Sequence, residues 1–225
     1  MSLSFKFSVI VMSAMLVSAC SDSSGGNITL KGSMNTSGLA AVDAASFKLK
    51  VYKMAVSTSA LCTDLQTVYS NSNPDYITFD GSSIGAANVP NGTYSCIVFE
   101  VSDTIKFTPS ADVGGSCLGN TEYSRDVCRS DAGGTLIDGS SFTCENSEQR
   151  MAIYLSTAST SVGADEANPF LPPTSESDAT RGMKLNGAFE VSATGTATFI
   201  VDVNDIVDVD GGGECDMQPP GWGFE

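Results

Sequence analysis

The sequence predicts an all-β fold, an antiparallel β-sandwich with long, disulfide-stapled loops. Three observations predict it. Apolar residues alternate with polar ones at period two through much of the chain, while the 3.6-residue period of an amphipathic helix is scarce. Short runs rich in Val, Ile, Phe and Tyr are punctuated by Gly, Pro and Asn, with 22 Gly and 8 Pro in 225 residues. Seven cysteines occur in a chain that opens on a short apolar segment of the export type.

Taken in order, the first predicted strand is Ile28–Gly32. In Phe47-Lys48-Leu49-Lys50-Val51 apolar residues alternate with lysines, which predicts a half-buried strand. The phase then slips so that Met54 and Val56 carry the pattern, which predicts a bulge near Tyr52-Lys53. Tyr76–Asp80 is a further candidate. Val89-Pro90-Asn91-Gly92-Thr93 supplies a turn, and Tyr94–Val101 after it is apolar at nearly every position, the pattern of a central strand covered on both faces. Thr104–Thr108, Met151–Ser156, Met183–Ala193 and Thr196–Val203 complete about eight or nine strands. Two stretches break the rhythm: 109–149, with three cysteines and little alternation, and 157–182, polar and Pro-containing. Both read as insertions in a single domain spanning 27–225. No internal repeat is visible.

The phrase Val89-Pro90-Asn91-Gly92-Thr93-Tyr94 resembles one common in surface β-sandwich modules, including transthyretin-like ones, where such a turn delivers a tyrosine into a core strand. The resemblance implies an Ig-like or transthyretin-like Greek key and no particular activity.

Residues 1–19 read as a signal peptide. Lys6 precedes an apolar run, Phe7–Val17. As a helix that run is about 16 Å long, too short for a bilayer core of about 30 Å. Val17-Ser18-Ala19-Cys20 resembles the lipobox of bacterial lipoproteins: an aliphatic residue, two small ones, then cysteine. The resemblance implies diacylglyceryl transfer to the Cys20 thiol, cleavage before it, and usually acylation of the new amine. Two or three chains hold a protein to a membrane far more firmly than one. Ser21 follows the cysteine rather than aspartate, which by the enterobacterial-type sorting rule favours the outer membrane over the inner. Residues 20–26 are the lipidated cysteine and a polar, flexible tether. More broadly the chain resembles envelope lipoproteins of Gram-negative bacteria built on such domains.

Composition narrows the function classes. Cleavage before Cys20 leaves 206 residues and removes one charged residue, Lys6, so 10 basic residues face 26 acidic ones and the net charge is −16. Such a surface repels nucleic acid. No Lys or Arg follows Lys184, whereas eight acids do. With Cys20 lipidated, Cys62, Cys96, Cys117, Cys128, Cys144 and Cys215 form an even set, read as up to three disulfides with fifteen possible connectivities. Turn-rich sequence beside Cys62 and Cys96 favours joining that pair. Zinc is a poor alternative, because the chain has neither a C-x-x-C pair nor a histidine.

Candidate chemistry is sparse. Gly81-Ser82-Ser83-Ile84-Gly85 matches the G-x-S-x-G nucleophile elbow, but that elbow needs a following helix and a histidine to take the serine proton. No catalytic residue is assigned, and a non-enzymatic binding or structural role is expected. The acidic C-terminal strand is the most suggestive constellation. Asp202, Asn204, Asp208 and Asp210 fall on even positions, hence on one face of an extended chain, and offer hard oxygen ligands for Ca²⁺. A calcium-dependent adhesion or carbohydrate-binding module is the rival reading. The EF-hand pattern is not met, since its first and twelfth positions would be Ile206 and Met217. A solvated face that discourages edge pairing is the simpler account. Trp222, the sole tryptophan, is a candidate stacking platform for a ligand, or else a plug that ties the tail to the core. Expected partners are a membrane, through the lipid, and an envelope protein or glycan. No resident cofactor is expected.

Overall fold

The computed structural model describes residues 26–33, 43–79, 83–128, 132–144, 147–162, 167–192, 196–218 and 220–224. The predicted signal peptide, Cys20 and nearly all of the tether lie outside them. The described residues form eighteen strands and no helix. In chain order these are β1 (Gly26–Ser33), β2 (Ala44–Ser57), β3 (Gln66–Ser70), β4 (Tyr76–Phe79), β5 (Ser83–Val89), β6 (Gly92–Tyr94), β7 (Cys96–Ser102), β8 (Thr104–Pro109) and β9 (Tyr123–Asp126). Then follow β10 (Gly133–Thr135), β11 (Ser141–Thr143), β12 (Arg150–Ser156), β13 (Met183–Lys184), β14 (Phe189–Val191), β15 (Thr196–Asp202), β16 (Val207–Val209), β17 (Cys215–Met217) and β18 (Gly221–Phe224).

The largest sheet is organised by β2. Along one edge of this 14-residue strand lie β7 and β8 end to end, and along the other β3 and β4, all antiparallel. Outside β7 and β8 come β12 and β9. Every member is interrupted at the same level: β2 shifts register between Val51 and Lys53, β7 yields to β8 at Asp103, and β3 yields to β4 at Asn71–Asp75. The sheet therefore curls along that line. Asp103 ties the fold line together. Its N–H donates to Gln149 O (3.0 Å), its carbonyl accepts from Val127 N–H (2.9 Å), and its Oδ1 accepts from Gln149 N–H (2.9 Å). The bulge predicted at Tyr52-Lys53 is thus one part of a bend through the whole sheet.

A second sheet runs β18-β15-β1-β5. Here the antiparallel expectation fails at one pair, because β1 lies parallel to β15, Asn27 beside Thr196 through Ser33 beside Asp202. A parallel pair needs a long crossover, and the whole domain between residues 33 and 196 supplies it. The short β12–β13 pair is parallel as well. Side chains of both sheets share one core, in which Phe99 of β7 meets Phe199 of β15 (ring centroids 4.9 Å apart).

β7 is buried at all seven positions, as its nearly continuous apolar run predicts. Ile97, Phe99 and Val101 face the main core. Cys96 and Val98 face a smaller cluster with Cys62, Ala152 and Tyr154, covered by Leu65, Leu136, Ile137 and Phe142. The expected Cys62–Cys96 bridge is present and staples that cover to the sheet. The other bridges are Cys117–Cys215 and Cys128–Cys144. The turn phrase also acts as expected: Tyr94 is buried, stacks on Phe189 (5.3 Å), and its hydroxyl donates to Pro90 O (2.7 Å).

Several elements differ from the sequence reading. Met183–Ala193 is two short strands, β13 and β14, parted by a turn in which Gly187 has φ 93°, a left-handed conformation that favours glycine. The 109–149 insertion contains β9, which extends the main sheet, and the β10–β11 hairpin. Strands β3 and β5 were not anticipated; β3 is half exposed and β5 runs through small residues, so neither carries an alternating signal.

Candidate functional site

Within the 157–182 segment, one carboxylate organises residues 174–180. Asp178 Oδ2 accepts from Thr174 N–H and Oγ1–H (2.9 and 3.0 Å), and Oδ1 from Thr180 N–H and Oγ1–H (2.9 and 2.8 Å). The backbone N–H groups of Thr174 and Thr180 are the chief reason its carboxyl is held well below the usual carboxylate range. Asp178 N–H and carbonyl also bond Ala158 O and Thr160 N–H, which fastens the loop to the end of β12. Asp-x-Thr at 178–180 is an Asx-turn signature and could have located this knot.

The same loop carries Pro169 and Phe170 over the main sheet. Asn168 fixes them: its Oδ1 accepts from Phe170 N–H (2.9 Å) and its Nδ2 donates to Gly133 O (3.0 Å). Phe170 O accepts from Thr135 N–H (3.1 Å). A Cβ on Gly134 would lie 2.3 Å from Phe170 O, so glycine is required for this approach.

Between this loop, the curled sheet and the C-terminal tail lies a cavity of about 320 Å³. That is at the small end of ligand sites, which run from about 300 to 1,000 Å³. Its floor is the inward face of the sheet: Phe47 and Leu49 of β2, Ile105 of β8, Met151 and Ile153 of β12. Each sits there because alternation along its strand turns it inward. The other wall is the tail, with Asp216 and Met217 of β17, Gln218, Pro220 and Trp222 of β18. Three constraints hold that wall in place. Cys215 is bridged to Cys117, Gln218 N–H donates to Ile206 O (2.7 Å), and Trp222 stacks on Phe199 and Phe99 (5.9 and 6.4 Å). Trp222 is 8 % exposed, and its buried Nε1 has no hydrogen-bond partner. Of the two roles foreseen for it, the plug is the geometry found, and the plug is also cavity wall. Nothing in the tail's sequence signalled a cavity, because its lining comes from strands more than a hundred residues apart.

The acidic tail residues are dispersed. Asp202 Oδ1 accepts from the backbone and side-chain nitrogens of Asn204. Asp208 lies opposite Asp216 in the β16–β17 hairpin, and its Oδ1 accepts from Val209 N–H (2.7 Å). Asp210 caps the hairpin turn, accepting from Gly212 and Glu214 N–H. Among the described residues no three Cys, Asp or Glu side chains form a group that could hold a metal ion. Ser83–Gly85 of the elbow-like match lies in β5 rather than at a strand-to-helix turn, and Gly81 and Ser82 are outside the described residues.

Glu100, like Asp103, is a fully buried carboxylate. Its Oε1 accepts from Ile137 N–H (2.9 Å), and Lys53 stands 3.4 Å away. This pair fastens the 132–144 segment to the outer face of β7, a structural task. Nearby, the Tyr154 phenol is pushed up to about 12 by burial, with its hydroxyl donating to Thr135 O (2.8 Å). No family model, curated protein or solved structure matches this chain.

Proposed function

We propose that this chain is a lipid-anchored envelope protein of Gram-negative type, whose β-sandwich domain acts by binding rather than by catalysis. The observation that carries the reading is the cysteine pairing. Six of the seven cysteines bridge among themselves, which supports an oxidising compartment and leaves Cys20 as the one cysteine available for lipid. The Val17-Ser18-Ala19-Cys20 run supplies the matching lipobox. The Pro90–Tyr94 hydrogen bond, which has the form of a tyrosine corner, supports the Ig-like sandwich. A chain without histidine lacks the commonest general base, which supports the non-catalytic reading, and the cavity under the tail gives binding a place.

The test is metabolic labelling with a palmitate analogue, followed by membrane fractionation. The wild-type chain is expected to carry label and sediment with membranes. Cys20→Ser is expected to lose both while the three disulfides still form. Equal sedimentation of the Ser variant would remove the anchor from the reading.

A further inference from the structure

We propose that the cavity beneath the C-terminal tail binds a small cationic amphiphile, an apolar body bearing an ammonium head. The proposal rests on the binding reading above and gives it a ligand class. Exposure sets the orientation. Phe47 and Met151 are 1 % exposed and Trp222 8 %, so they form the interior, whereas Asp126 and Gln218 are exposed and Asp216 is half buried, so they form the rim. The interior is suited to an apolar body. It combines the aromatic rings of Phe47 and Trp222 with methionine, whose thioether adapts to irregular shapes.

The rim selects the head group. Among the described residues, the only charged ones lining the cavity are Asp126 and Asp216. Arg125 stands beside the rim: its Nη1 pairs with Glu214 (2.8 Å), and its Nε donates to Cys215 O (2.6 Å) and stands 3.9 Å from Asp216. Glu214 and Asp216 thus share one cation, Asp126 forms no ion pair among the described residues, and the described rim keeps a net negative charge. An anionic amphiphile such as a fatty acid would meet both this rim and the −15 field of the whole chain. An ammonium meets two carboxylates at the rim and aromatic faces below it, the combination that recognises such cations.

Trp222 is the only tryptophan and lines the cavity, so its emission reports occupancy directly. The experiment titrates the full-length mature protein carrying Cys20→Ser with three probes sharing one body: 4-phenylbutyl-trimethylammonium, 4-phenylbutanol and 4-phenylbutyrate. The expected result is a saturable change in emission, with the ammonium bound about ten-fold more tightly than the alcohol and the carboxylate weakest. Asp126→Asn with Asp216→Asn is expected to lower ammonium affinity about ten-fold and leave the alcohol unchanged. Asp64→Asn with Asp138→Asn, which removes the same charge beside the smaller cluster on the outer face of β7, is expected to leave both unchanged.

No saturable binding by any probe overturns the proposal. So does equal affinity across the three head groups, or an equal loss from the distant pair. Ile153→Phe, which fills the cavity, should abolish binding by all three probes. If that variant does not fold, the head-group series still decides. Membrane anchoring through Cys20 is measured separately, so a negative titration with intact anchoring removes the ligand class and not the anchored reading.

Discussion

The three disulfides close loops of very different length, and their removal should be graded accordingly. Sequence separations are 98 residues for Cys117–Cys215, 34 for Cys62–Cys96 and 16 for Cys128–Cys144. With a loop-closure entropy of −2.1 − 1.5R ln n, these correspond to about 4.7, 3.8 and 3.1 kcal/mol at ~25 °C. The Cys128–Cys144 bridge lies inside the longest loop and shortens its contour by about 15 residues. Because the dependence is logarithmic, that changes the largest figure by only about 0.15 kcal/mol. All six half-cystines are at most 6 % exposed, so the packing lost with the sulfurs is similar in each pair. The perturbation is replacement of each pair by Ala in the Cys20→Ser background. The assay is urea unfolding followed by Trp222 emission and far-ultraviolet circular dichroism, with linear extrapolation. Loss of Cys117–Cys215 should cost about 1.6 kcal/mol more than loss of Cys128–Cys144. It should also redden Trp222 emission in the native state, because the bridge holds the strand that leads into the tail. If the shortest loop proved as costly as the longest, the entropic reasoning would be refuted and native packing at each bridge would be in control.

Other consequences concern the buried acids, a buried tyrosine and calcium. Asp178→Ala should destabilise the protein by about 3 kcal/mol, since four hydrogen bonds to one carboxylate are lost. Its carboxyl is depressed in the folded state, so that stability is present above the unfolded value of about 3.9 and is lost as pH falls below it. The difference between wild type and variant should therefore shrink in acid urea titrations. Asp103 is the reverse case: burial pushes its carboxyl up, and its Oδ2 is buried without a partner. Asp103→Asn should then stabilise by about 1 kcal/mol at neutral pH, a gain that disappears below pH ~4, where the wild-type acid is also neutral. Tyr154, pushed up to about 12, favours folding below the unfolded value near 10. Its contribution should decline as pH rises from there, and Tyr154→Phe should blunt the alkaline loss measured by circular dichroism. Millimolar Ca²⁺ should leave Tm unchanged, because Oδ1 of Asp202, Asp208 and Asp210 each serves a local turn and no three acidic side chains converge among the described residues.

How much of this was legible depends on the range of the interaction. The β7 run announced a strand covered on both faces, and the slip of apolar phase after Val51 announced the bulge, because both are written in consecutive residues. The Pro90–Tyr94 turn was legible for the same reason. The β1–β15 parallel pair was not, since nothing local records which distant strand fills an edge. Asp178 was visible as one more acid in a polar loop, yet its importance lies in which N–H groups converge on it.

By itself the sequence determined the all-β class, the even set of six cysteines beside Cys20, the acidic balance and the missing histidine. These follow from composition and from periods of one to a few residues, which constrain any fold the chain adopts. The tertiary structure alone decided which cysteines meet, where the sheet bends, and that Trp222 closes over Phe47 and Met151 to leave a cavity. Those outcomes depend on side chains brought together from opposite ends of the chain. Packing of that range is settled by the competition of all contacts at once, and no single stretch of sequence carries it.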